Sequence, residues 1–191
     1  VFQLINIVIS RVAGPMAVTQ YNIAYKYFNI LNMAMMIIVT PFWSACADAY
    51  TKKDFLWMKN VIEKMEMIWK LSICVLIIMI LVSSTFYDIW VGDSVKISLS
   101  LSVMVGVYIL VQNLCGIYIY MINGTSKIRL QLVVYLVSAF ISVPTMYFLC
   151  SKYGITVMLL VPISVCLIQA FVAKKQLTKI IRGTASGIWI K

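Results

Sequence analysis

The chain has 191 residues, 63% of them hydrophobic and only 12% charged, with a mean hydropathy of +0.98. Soluble domains carry roughly 25% charged residues, so charge this sparse cannot cover a water-facing surface, and a soluble globular domain is excluded. The net charge of +10 does not indicate a nucleic-acid partner, because the basic residues border apolar runs, where attraction to anionic headgroups is their natural consequence.

Five stretches of 17 or more residues lack any charged residue: 27–47, 71–87, 97–126, 130–151 and 153–173. About 20 apolar helical residues cross a hydrocarbon core ~30 Å thick, and the second stretch reaches that length if Lys70 snorkels at its end. A signal peptide does not account for runs that recur along the whole chain. The predicted fold is an all-α, polytopic transmembrane helix bundle with one partial span and five full ones. In chain order these are 1–12 (partial), 23–46, 68–88, 98–122, 129–150 and 154–174, followed by a tail at 175–191. The first begins at Val1 without a methionine and is too short to span. It reads as the tail of a longer helix, so the chain is expected to be the C-terminal part of a longer protein. Gly14-Pro15, Gly92-Asp93, Asn123-Gly124 and Gly154 supply the predicted turns.

Between the second and third spans, Phe55, Met58, Ile62, Met65 and Trp69 recur at helical steps, with Lys52, Lys59, Glu63, Lys64 and Glu66 on other faces. Thr51 and Asp54 have capping-box spacing, with Asp in place of Glu. Two readings fit residues 52–66: an amphipathic helix lying at the membrane surface, or a solvated helical extension of the third span.

Twelve basic residues fall at the connections 52–70 and 127–129, at Lys174 and in the tail, which alternate topology puts on one side; four, Arg11, Lys26, Lys96 and Lys152, fall on the other. The positive-inside rule makes the first side, and with it the C-terminus, cytoplasmic.

Polar residues inside spans are costly in lipid and should turn inward. In the second span Asn22, Lys26 and Asn29 share about 60° of arc at ~100° per residue, with Asn32 further round. Arg11 lies beside a face of Gln3, Asn6 and Ser10 in the partial span. Gln131, Tyr135, Ser138, Ser142 and Thr145 line one side of the fifth, and the fourth contributes Tyr108, Gln112 and Asn113. Such groups either line a path or serve as interhelical glue. Near the ends of their helices, Arg11 and Lys26 could also simply snorkel. Pro144 and Pro162 lie inside spans and Pro41 near the inner end of the second; each removes a backbone hydrogen bond. The five cysteines are single and the chain has no histidine, so they read as small buried hydrophobes. No cofactor or metal is expected. An enzyme is not expected either: no acidic pair lies within a span and no phosphate-cradling glycine loop occurs.

The stretches Gly14-Pro-Met-Ala-Val-Thr-Gln-Tyr-Asn-Ile-Ala-Tyr-Lys-Tyr-Phe28 and Val39-Thr-Pro-Phe-Trp-Ser-Ala-Cys-Ala-Asp-Ala-Tyr50, followed by Lys53-Asp54, resemble the Wzx-type polysaccharide flippases of bacteria. That group belongs to the multidrug/oligosaccharidyl-lipid/polysaccharide exporter superfamily. Phe86-Tyr-Asp-Ile-Trp-Val-Gly92 and Asn123-Gly-Thr-Ser-Lys-Ile-Arg129 extend the resemblance.

The resemblance implies the C-terminal lobe of a twelve-helix exporter in the bacterial inner membrane. Its substrate would be an undecaprenyl-pyrophosphate-linked oligosaccharide, carried for O-antigen or capsule assembly by alternating access. Partners would be that lipid-linked substrate, membrane lipids and other polysaccharide-assembly proteins. Arg11, Lys26, Asn22, Asn29, Asn32, Gln112 and Asn113 are the expected substrate-path residues. Rival readings are a cation-coupled multidrug exporter, a flippase for the lipid-linked peptidoglycan precursor, a membrane-embedded polysaccharide-assembly enzyme, and a purely structural membrane subunit.

Overall fold

The computed structural model describes residues 2–92 and 95–189. Val1, the turn residue Asp93 and the tail residue Lys191 lie outside them. The described residues form six α-helices and a terminal 3-10 turn: α1 (Phe2–Val12), α2 (Gly14–Thr51), α3 (Phe55–Val91), α4 (Leu99–Thr125), α5 (Arg129–Met158), α6 (Leu160–Ile181) and Gly187–Trp189. α2 to α6 are each long and apolar enough to cross a bilayer. The chain is a multi-pass, all-α membrane protein.

Helix ends follow local chemistry. Gly14 takes φ 84°, a conformation open to glycine without a Cβ penalty, and Pro15 then opens α2. The N-cap of α3 is Asp54, whose carboxylate accepts from the Trp57 amide at 3.0 Å. The expected capping box places the cap three residues too early: Thr51 ends α2 and donates to the Asp48 carbonyl. Ser98 caps α4 by accepting from the Leu101 amide. Gly154 (φ 82°, ψ 179°) is the non-helical point within α5. At the start of α6, Pro162 cannot donate to Met158, and the ladder resumes with Ile163 donating to Leu159.

Two boundaries differ from the sequence expectation with consequences for the site. α2 begins at Gly14 rather than at residue 23, and α3 starts at Phe55 as a helical extension of the third span, one of the two readings of 52–66, rather than as a separate surface helix. With 38 and 37 residues at about 1.5 Å each, both helices exceed a ~30 Å hydrocarbon core by more than 20 Å. The amphipathic segment is thus the first part of α3, continuous with the span. The predicted tail is also helical as far as Ile181.

α4 is the central helix, more than half buried over its apolar window, whereas almost none of the α5 window is buried. Glycines set its approach to α2. A Cβ at Gly106 would meet Leu76 and Phe28, one at Gly116 would meet Met36, and one at Gly124 would meet Trp43, Cys46 and Ala47. Those pairings show α2 and α4 running in the same direction. Lipid tails are as apolar as leucine, so close packing of small residues substitutes here for a hydrophobic driving force. The expected Asn123-Gly124 turn is therefore helix, and the chain turns at Ser126, which takes φ 60°.

The core forms two clusters stacked along the bundle axis. One joins α1, the first half of α2 and α4, the later parts of α3 and α5 and the start of α6; the other joins the second half of α2 and α4 with the start of α3 and the end of α6. Tyr27 anchors the first, donating to the Met79 carbonyl at 3.0 Å and packing against Phe86 and Tyr87.

Candidate substrate path

Depth within the bundle orders the polar residues. The Gly106–Phe28 and Gly116–Met36 contacts put Asn29 and Asn32 level with the segment of α4 that carries Tyr108 and Gln112. Asn32 donates to Asn29 at 3.1 Å, and both are half-buried, as is Asn22. Tyr108 is buried and lies within electrostatic range of Tyr25, Cys115, Tyr135 and Cys166. Gln169 is buried on α6 and donates to the Gln131 carbonyl at 3.3 Å. The Oδ1 of Asn32 and the Oε1 atoms of Gln112, Gln131 and Gln169 are buried without a hydrogen-bond partner. Amides and phenols of α2 and α4 thus share one level of an otherwise apolar bundle, and those of α5 and α6 lie nearer the end of α2. Toward the end of α2, Trp43, Asn123, Gln131 and Tyr135 line a groove of about 500 Å3.

The expected residues divide. Gln112 shares one face of α4 with Tyr108 and Cys115, four and three residues away. Asn113 is rotated ~100° from it, toward the arc that holds Gly106 and Gly124. There it is 2% exposed, with both amide atoms unpartnered. Arg11 and Lys26 are both exposed, and neither makes an ion pair among the described residues. From Gly14 at the α1–α2 turn to Lys26 is about 18 Å of helix rise. Lys26 thus does not stand near the end of its helix. Gln20 donates to the Lys96 carbonyl at 2.8 Å, and Lys26 lies about 9 Å further into the bundle than that level.

The hydroxyls of α5 serve their own helix. Ser142 donates to the Ser138 carbonyl and Thr145 to that of Ile141. They flank Pro144, whose missing amide leaves the Phe140 carbonyl without its helical donor.

At the basic end of the bundle a second polar cluster escaped sequence reasoning. Glu66 Oε1 accepts from the Tyr118 hydroxyl at 2.6 Å and from Lys174 at 3.0 Å, tying α3, α4 and α6 together. Desolvation pushes the Glu66 carboxyl up, but these two hydrogen bonds and the charges of Lys174 and Lys70 outweigh it and hold it below the usual carboxylate range. The available signal was that Lys174 directly follows the last apolar run and that Glu66 is the acidic residue nearest the start of the third span. Gln176, also buried, donates to the carbonyls of Lys127 and Trp189, latching the α4–α5 turn and the terminal 3-10 turn to α6. Such contacts gather the basic residues of α3, α6 and the α4–α5 turn at one end.

No group of three His, Cys, Asp or Glu able to hold a metal occurs among the described residues. Comparison with protein-family profiles, curated proteins and solved structures finds no match to this chain.

Proposed function

We propose that the chain is the C-terminal lobe of a Wzx-type flippase. It would move an undecaprenyl-pyrophosphate-linked oligosaccharide repeat unit across the bacterial inner membrane for O-antigen or capsule assembly. The observation that carries this reading is the set of amides and phenols inside an apolar bundle: Asn29 and Asn32 level with Tyr108 and Gln112, and Gln131, Tyr135 and Gln169 nearer the basic end. Amides and phenols in an otherwise apolar bundle suit a solute rich in hydroxyl groups. The charge-free spans carry no carboxylate, which fits such a solute better than a proton- or sodium-coupled drug. Lys26, exposed and deeper than the helix-end cations, is the candidate for contact with the pyrophosphate. The basic end is cytoplasmic in this reading, and with it the C-terminus. The second lobe closes the path, and the two rock between inward- and outward-open states.

Deleting the full-length gene in its host is expected to accumulate lipid-linked oligosaccharide on the cytoplasmic face. The intact gene should reverse this, and a Lys26→Ala/Asn32→Ala variant present at equal level in the membrane should not. Reversal by that variant removes these residues from the path. Intact surface polysaccharide without accumulation overturns the flippase reading and brings drug export forward.

A further inference from the structure

One face of α6 changes character along its length. Leu160, Leu167 and Phe171 are apolar and exposed at 51%, 48% and 64%, and Lys175, Lys179 and Arg182 continue that side of the helix. From Leu160 to Phe171 the stripe rises about 16 Å, close to one leaflet of a ~30 Å hydrocarbon core. Beyond Phe171 the face opens on a groove of about 420 Å3 lined by these cations, adjoining a cleft of about 400 Å3 between α3 and α6.

The carboxylates of that cleft are already engaged. Glu66 holds Lys174 at 3.0 Å, and Glu63 lies 3.8 Å from Lys59. Lys175, Lys179 and Arg182 have no carboxylate partner among the described residues. Two of them rest on rings instead: Lys175 is 5.1 Å from the Phe171 centroid and Lys179 is 4.1 Å from that of Trp189. Cations on aromatic rings keep donors free for an anion, and a guanidinium can grip two phosphate oxygens at once.

We propose that this face binds one anionic phospholipid of the surrounding bilayer. An acyl chain lies along Leu160 to Phe171, and the phosphate headgroup is held by Lys175, Lys179 and Arg182. A soluble phosphate would use only the cationic half; a lipid uses both halves at the depth where the bilayer presents them. The inference does not depend on the transport reading.

The test is native mass spectrometry of the full-length protein in neutral detergent, titrated with phosphatidylglycerol or phosphatidylcholine. Each basic residue near an anionic headgroup contributes about fivefold, so a Lys175→Gln/Lys179→Gln/Arg182→Gln variant should bind phosphatidylglycerol on the order of a hundredfold more weakly. A control with Lys53→Gln, Lys64→Gln and Arg129→Gln at the same end should lose less than about threefold. All six side chains stay outside the core, and circular dichroism checks that both variants remain helical. Phosphatidylcholine bound as well as phosphatidylglycerol, or equal losses in the two variants, would overturn the site. So would displacement of the lipid by inorganic phosphate at equal concentration, which would assign the cations to a soluble anion.

Discussion

The three glycines of α4 make a graded perturbation series. An alanine at Gly116 would place its Cβ 3.7 Å from the flexible end of Met36, ordinary contact. Removing an interior glycine favours the helix by about 1 kcal/mol, so Gly116→Ala is expected to be neutral or slightly stabilising. At Gly106 the Cβ would come within 2.8 Å of a terminal methyl of Leu76. That methyl can swing away, at the expense of an off-rotamer side chain costing about 0.5–1.5 kcal/mol. At Gly124 the Cβ would lie 2.9 Å from the Trp43 carbonyl oxygen, 3.0 Å from the Cys46 Cβ and 3.2 Å from the Ala47 amide nitrogen. Those atoms belong to, or are fixed by, the α2 backbone, so relief requires the two helices to part by about half an ångström. Overpacking of that kind costs about 1–3 kcal/mol. Unfolding in mixed micelles with increasing SDS, followed by tryptophan fluorescence, should rank stability as Gly116→Ala, then Gly106→Ala, then Gly124→Ala. Gly124→Ala matching Gly116→Ala would show that α2 and α4 do not meet closely there, and the packing argument would fail.

The same assay tests two polar groups. Asn113→Leu removes a buried amide with neither atom bonded and should stabilise the bundle by about 1–2 kcal/mol; a loss of stability would mean the amide is bonded in the membrane. Glu66→Gln should cost on the order of 1 kcal/mol at pH 7, modest because the pair is partly exposed. Since folding lowers the Glu66 pKa below its ordinary 4.5, its contribution is fully present above that value and is lost as pH falls through the folded-state pKa. The difference between wild type and Glu66→Gln should therefore shrink below about pH 4.5; a constant difference would show that the pair does not titrate with folding.

Fold class was legible because lipid imposes a one-dimensional constraint: five charge-free stretches each had to become a helix, and they did. Helix ends were less legible. Gly14-Pro15 marked a start that hydropathy placed nine residues later, because the polar residues of 14–22 interrupt the apolar signal without interrupting the helix. Conversely, Asn123-Gly124 reads as a turn by composition, yet Gly124 is spent on contact with α2. Whether a glycine bends the chain or admits a neighbour depends on a partner that lies 80 residues away in sequence.

For the candidate path, sequence periodicity located the α2 stripe of Asn22, Lys26, Asn29 and Asn32, since residues on one helix carry their own angular order. It could not relate that stripe to Gln169 or Tyr135, nor separate Gln112 from Asn113, because relative depth and facing between helices are set by packing. The Glu66–Tyr118–Lys174 cluster has the same origin, joining residues from three helices. What the sequence alone determined is an all-α chain with five helices long and apolar enough to cross a membrane. Tertiary structure decided which polar groups meet, because that depends on rotations and offsets between helices that no single helix encodes.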